Sequence, residues 1–259
     1  MWALAACAPQ GALRTEVAPA DAPFTAEDLA RNFEQIVFRY EFRFDDAGRK
    51  IDEPLAKPLK RWKGVIRYRL VGDAATAEDA RTIADLLQRI APLTGLRFVE
   101  VPGGEDMLIS IATPEGQDRV AALLEARGRS AHRKRYETWR RDRHWVCGAT
   151  LSSSRDDRDR LVEAHIFLRS DTTGVGRQAC LHEEIVQALG LTNDSDSARP
   201  SIFNDDQEFA LMTLHDELLL RALYDPALRP GMNAAEAMPK ARALFADYLA
   251  ARARGGVNP

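Results

Sequence analysis

Between Cys180 and Asp194 the chain sets Leu181, Ile185, Val186 and Leu189 at helical spacing and interrupts them with Glu183, Glu184 and Gln187. Positions 183 and 187 lie one turn apart on one helix face. Gly190 supplies a residue that takes the left-handed conformation with which helices end, and the chain then turns back, carrying Asn193 toward that face. An i, i+4 polar pair inside an otherwise apolar helix is costly to bury without partners. Two readings follow: a cleft lined by Glu183, Glu184, Gln187 and Asn193, or a solvated carboxylate pair with Gln187 beside it by chance.

Around this run, periodicity alternates between that of strands and that of helices. Thr25-Ala-Glu-Asp28 and Thr76-Ala-Glu-Asp79 are capping boxes, each followed by an apolar helical stripe: Leu29, Phe33, Ile36 and Val37 after the first, Ile83, Leu86, Leu87 and Ile90 after the second. Trp62 to Val71 alternates as a strand does, and Leu96 to Val101 and Met107 to Ala112 read as two strands, adjacent in one sheet, across the turn at Pro102-Gly103-Gly104. Ala164 to Leu168 reads as a buried strand, and Gly174 to Leu191 as the helix after it. Arg127 to His144 is a basic tract interleaved with Tyr136 and Trp139; it suits a solvated helix face or loop, or a grip on an anionic polymer. Of the histidines, His165 and His182 read as hydrogen-bonded core groups, and His132, His144 and His215 as surface or cap groups.

The 259 residues, 45% hydrophobic and 29% charged, suffice for a substantial core, and the net charge of −3 gives no overall attraction to nucleic acid, so no nucleic-acid partner is expected. Leu4-Ala-Ala-Cys7 matches a lipobox, the small-residue site at which a signal peptidase cuts before a lipid-bearing cysteine; an Ala-rich start holding a cysteine by chance is the alternative. The expected division is a signal and flexible tether over 1–23, a helix and irregular lead-in over 24–60, and the main domain with C-terminal helices over 61–259. Cys147 and Cys180 then remain as an even pair in an oxidising compartment, able to form a disulfide or to stay as two buried thiols.

With Gly190 as anchor, residues 183–193 resemble the extended zinc motif of metzincin peptidases, whose tail is commonly Ala-Leu-Gly-Leu, here Ala188 to Leu191. Glu183 then stands at the first ligand position, Glu184 at the catalytic base, Gln187 at the second ligand and Asn193 at the third. Starting instead from His182 and Glu183 puts Val186 at a ligand position, which it cannot fill. Ser201 to Asn204 resembles the Met-turn, with Phe203 at the methionine position, and Leu214 to Tyr224 resembles the closing helix. The region also resembles bacterial lipoproteins of the family catalogued as domain of unknown function 2927, which share a Glu-Glu-x-x-Gln helix, a following Asn-Asp (Asn193, Asp194) and a Ser-Ile-Phe-Asn-Asp segment (201–205). These resemblances imply an α+β, zincin-like fold with a mixed twisted sheet packed against an active-site helix and a backing helix.

The chemistry departs from that of the zinc enzymes. Zinc sites use thiolate, imidazole or carboxylate, so one carboxylate with two neutral amides holds zinc weakly; no cofactor is expected, and calcium or another hard cation is the oxygen-ligand alternative, with Asp194, Asp196 and Asp205 nearby. Without a divalent charge on the water, Glu184 alone is a feeble activator, though adjacent carboxylates can share a proton. Three function classes follow: a peptidase-like hydrolase with an altered site, a pseudoenzyme that binds a peptide or peptidoglycan stem, and a structural envelope lipoprotein. The expected location is the periplasmic side of a bacterial membrane, the outer one foremost, through acylated Cys7. The cleft is expected beside an edge strand, Met107 to Ala112.

Overall fold

The computed structural model describes residues 13–40, 43–44, 50–51, 56–142, 145–204 and 208–254. In chain order the elements are α1 (Ala26–Val37), β1 (Arg43–Phe44), β2 (Lys50–Ile51), β3 (Val65–Val71), α2 (Ala77–Thr94), β4 (Arg97–Glu100), β5 (Met107–Ala112), α3 (Gln117–Ala126), α4 (Ser130–Trp139), β6 (Cys147–Ser153), β7 (Leu161–Arg169), α5 (Gly174–Ala188), α6 (Leu214–Tyr224) and α7 (Ala234–Ala253). Cys7, Asp205 and His144 lie outside the described residues.

Both expected capping boxes form, Thr25 with Asp28 and Thr76 with Asp79, and two more open α6 (Thr213 with Asp216) and α7 (Asn233 with Glu236). In each, hydroxyl or amide oxygen and carboxylate satisfy backbone N–H groups that have no partner within the helix. Four of the five strands in the main sheet run parallel, in the order β4-β3-β5-β7-β6, with β6 antiparallel to β7. This is a mixed α/β architecture.

The order corrects two expectations. Strands β4 and β5 share the sheet but are not neighbours, because β3 runs between them. Strand β5 is central, paired with β3 and β7 and buried at all six residues, so Met107 to Ala112 is not an edge. The reason is legible in retrospect: a continuous Met-Leu-Ile-Ser-Ile-Ala run lacks alternation because both of its faces are covered. The terminal strands are β4, mostly exposed, and β6.

The larger core fills one face of the sheet with side chains from α1, α2, α5, α6 and α7, including Phe33, Ile83, Ile185, Leu219 and Phe245. The smaller one fills the other face under α3 and α4, around Leu108, Leu124, Tyr136, Trp139 and Phe167. The basic tract is thus the rim of a packed helix: Tyr136 and Trp139 point inward, while Arg133 is half-buried and Arg141 exposed, each within reach of a glutamate (Glu125 and Glu137). Arg129 is buried and ion-paired with Glu105 at 3.7 Å and Glu163 at 3.5 Å. His132 and His215, expected as surface or cap groups, lie in the first turns of α4 and α6 and are both buried. His132 bonds Thr150 at 2.6 Å and Ser152 at 2.9 Å.

The segment expected as tether is docked from Leu13 onward. Arg14 N–H donates to the Glu208 carbonyl and its own carbonyl accepts from Ala210, while its guanidinium pairs with Asp21 at 2.8 Å and Glu208 at 2.9 Å. Helix α1 shares the main core through Leu29, Phe33 and Ile36.

Cys147 and Cys180 form a disulfide with Cα atoms 6.0 Å apart, joining β6 to the middle of α5. A bridge closing a loop of this size stabilises by about 2–4 kcal/mol. Reduction under otherwise native conditions should therefore shift the urea midpoint downward, and Cys147→Ser should reproduce the shift. Equal free-thiol counts in the denatured chain before and after reduction would contradict it.

Candidate functional site

Helix α5 is fixed at both ends. Near its start, Arg177 grips Asp79 of α2 through two bonds of 2.6 and 2.7 Å and also donates to the Ala74 carbonyl at 2.7 Å. Burial alone would raise the Asp79 carboxyl, but the Arg177 guanidinium and the Thr76 cap hold it below its usual range. At the other end the helix leaves carbonyls without intrahelical partners. Trp62 Nε1 donates to the Ala188 carbonyl and the Tyr224 hydroxyl to the Leu189 carbonyl, both at 2.8 Å. The Leu-Tyr ending of α6 therefore serves to close α5.

Gly190 has φ of +119°, and a Cβ there would sit 2.5 Å from the Lys60 carbonyl oxygen. Only glycine lets the chain turn so tightly beneath the strand that leads into β3. The turn delivers residues 192–197 against α1. Thr192 N–H donates to the Ile36 carbonyl, and Asn193 Nδ2 donates to the carbonyls of Gln35 at 3.1 Å and Asp194 at 2.7 Å.

Of the four residues expected to share a site, three stay together on α5. Glu184 and Gln187 are buried and Glu183 is partly exposed. The fourth is replaced: Gln187 Nε2 donates to Asp194 Oδ1 at 3.3 Å, while the Asn193 amide turns to α1 and to its own chain. Asp194 was legible only as a nearby carboxylate, because motif spacing does not say which of two consecutive residues a return loop points inward. Asn193 and Asp194 also line an open groove of about 430 Å³ between the 193–197 segment and Arg31 and Gln35 of α1, with Arg39 just past the helix end. Arg31 and Gln35 sit at i and i+4, opposite the apolar stripe, where sequence alone cannot tell them from a solvated face.

Beneath the site lies a buried polar network centred on Asp216. Its carboxylate accepts from Ser201 Oγ at 2.5 Å, Ile202 N–H at 3.2 Å, and Thr213 N–H and Oγ1 at 2.8 and 3.0 Å. These bonds hold the 201–204 turn, in which Phe203 is fully buried and its carbonyl accepts from Ser195 N–H at 2.8 Å. Phe203 is thus an apolar floor for the return loop. His182 Nδ1 accepts from Met212 N–H at 3.0 Å; burial, with the nearby Arg89 cation, pushes its imidazole down to about 4, so it is a neutral structural acceptor at physiological pH.

As a zinc site the donor set does not fit. The positions that the resemblance aligns with zinc ligands hold one carboxylate and two neutral amides, and amide oxygens are poor zinc donors. Among the described residues no three His, Cys, Asp or Glu side chains converge on one point as metal ligands would.

One family model matches residues 26–243, which is most of the chain; its description is protein of unknown function (DUF2927). The chain belongs to the DUF2927 family. The match takes in α1 as well as the sheet, α5, the 201–204 turn and α6, so both walls of the groove belong to the family's region. No curated protein matches the chain. As a member of DUF2927 it carries a family name without an activity, and function has to be argued from the site.

Proposed function

We propose that this DUF2927 protein is an envelope lipoprotein, held on the periplasmic side of a bacterial outer membrane through acylated Cys7, whose zincin-like scaffold binds extended peptide or peptidoglycan stem without zinc-dependent hydrolysis. The scaffold reading is supported by the order β3, α2, β4, β5, β7, α5, turn and α6, with an active-site helix and a backing helix on the same face of a mixed sheet. Anchoring rests on Leu4-Ala-Ala-Cys7; among the described residues no helix is long and apolar enough to cross a membrane.

The observation that carries the binding reading is the position of β6. It is a terminal strand in the sheet order, and its disulfide to Cys180 sets it against α5. Cys180, Glu184 and Gln187 are spaced i, i+4 and i+7, so both polar residues lie on the helix face that carries the bridge to β6. The Arg169 N–H bond to the Val146 carbonyl sets the ladder's phase, so residues 148, 150 and 152 pair with β7 and the backbone groups of Cys147, Ala149 and Leu151 turn outward, the Leu151 carbonyl toward Arg135 Nη1 at 3.4 Å. Such a row can accept an added strand, with Glu184 and Gln187 beside it to bond the peptide backbone.

The test is titration of the purified full chain with an N-acetylated, amidated hexapeptide, with and without chelator, alongside metal analysis. Binding without cleavage, insensitive to chelator and weakened about tenfold (~1.4 kcal/mol) by Gln187→Ala, is the expected outcome. Stoichiometric zinc, lost together with hydrolysis on Glu183→Ala and Gln187→Ala, would overturn the proposal.

A further inference from the structure

The groove between α1 and residues 193–197 has walls of opposite sign: Arg31 on the helix and Arg39 just past its end, Asp194 and Asp196 on the loop. Among the described residues no ion pair joins Arg31 or Arg39 to Asp196. Arg31 pairs back to Asp28 on its own helix at 2.5 Å, and among the described residues the side chains of Arg39 and Asp196 have no ion-pair partner. Opposite charges that line one depression and do not meet are held apart by something, and the structure shows what. Thr192 N–H to the Ile36 carbonyl, Asn193 Nδ2 to the Gln35 carbonyl at 3.1 Å and Ser197 Oγ to Asn32 Oδ1 at 2.9 Å stitch the loop to the helix along the groove floor. Asn32 is itself buried, and its Nδ2 donates to His215 Nε2 at 3.0 Å, so the floor is tied to the network around Asp216. The wall spacing is therefore set by the fold, and a ligand meets a preorganised site.

We infer that this groove binds the free ends of a short peptide, its carboxylate against Arg39 and its ammonium against Asp196. A guanidinium offers paired N–H donors to a carboxylate, and a carboxylate accepts from an ammonium, so the two walls are complementary to a zwitterion. The volume of about 430 Å³ suits a di- or tripeptide. Asp194, which lines the groove, accepts from Gln187 at 3.3 Å, so the bound end lies next to the polar face of α5. The inference rests on the peptide-binding reading for its ligand class, but it concerns a separate surface and the opposite preference, for free rather than capped ends.

The experiment is a calorimetric titration of the full chain with tri-alanine, N-acetyl-tri-alanine and tri-alanine amide, repeated on Arg39→Gln and Asp196→Asn. Both substituted residues are exposed, so the fold is retained. Tri-alanine is expected to bind at least threefold more tightly than either capped form. Arg39→Gln should erase the penalty for amidation and leave that for acetylation, and Asp196→Asn should do the reverse. Equal affinity for the free and capped peptides, no binding of any of them, or penalties that survive both substitutions would each overturn the inference. Binding of the capped hexapeptide with no preference here removes this site and leaves the β6 proposal standing; a free-end preference without hexapeptide binding does the opposite.

Discussion

Asp216→Ala is expected to lower the unfolding free energy by about 4–6 kcal/mol. The carboxylate is fully buried and accepts from Ser201, Ile202 N–H and Thr213, so its loss leaves two buried backbone N–H groups and the Ser201 hydroxyl short of a partner and removes the α6 cap, while the Thr213 hydroxyl keeps the Pro200 carbonyl. Each orphaned buried donor costs about 1–3 kcal/mol and a lost cap about 1 kcal/mol. Asp216→Asn keeps one acceptor oxygen and should recover roughly half of the loss. Urea unfolding followed by tryptophan fluorescence reads both variants, and a change below about 1 kcal/mol for the alanine would refute the network's role.

The second large effect is acid destabilisation. Burial pushes His132 down to about 3, with the Arg135 and Arg129 cations adding to it, and His182 falls to about 4. His165, fully buried and bonded to Ser110 Oγ at 2.8 Å, lies well below the ordinary imidazole value, again mainly through burial. The folded state resists protonation at groups that the unfolded chain protonates near pH 6.5. The stability they contribute is therefore present above about pH 6.5 and is lost progressively as pH falls toward the depressed values. From pH 6.5 to 4, His132 and His182 together account for about 4–6 kcal/mol. His132→Gln should flatten the pH dependence over that interval, whereas a stability profile level from pH 7 to 4 in the native protein would contradict the burial argument.

Much of the scaffold was legible because it is written in local chemistry. Thr25 with Asp28 and Thr76 with Asp79 announce helix starts by two complementary side chains, and α5 follows from apolar spacing closed by Gly190. Strand order was not legible, since which strands pair depends on how α2 crosses the sheet rather than on any residue in β4 or β5. Strand β6 passed unread because Cys-Gly-Ala-Thr-Leu-Ser-Ser is weak in β-formers; it is held by β7, the disulfide and Trp139, whose ring lies 3.2 Å from where a Cβ would stand on Gly148. His132 and His215 were misplaced for a related reason. Charged neighbours in sequence suggested surface, but Thr150, Ser152 and Asn32 come from distant segments to satisfy the rings. At the site, helix spacing put Glu183 and Gln187 one turn apart, and only the return loop decided that the Asp194 carboxylate, rather than the Asn193 amide, meets Gln187.

The central claim is that β6 is the peptide-binding edge beside an altered, non-zinc site. Amide hydrogen exchange of the full chain with and without the capped hexapeptide tests it most directly. Added protection at the outward-facing amides of Cys147, Ala149 and Leu151, with those of Gly148, Thr150 and Ser152 unchanged, is the result expected. No added protection on β6 at saturating peptide, or cleavage of the peptide that a chelator abolishes, would contradict it.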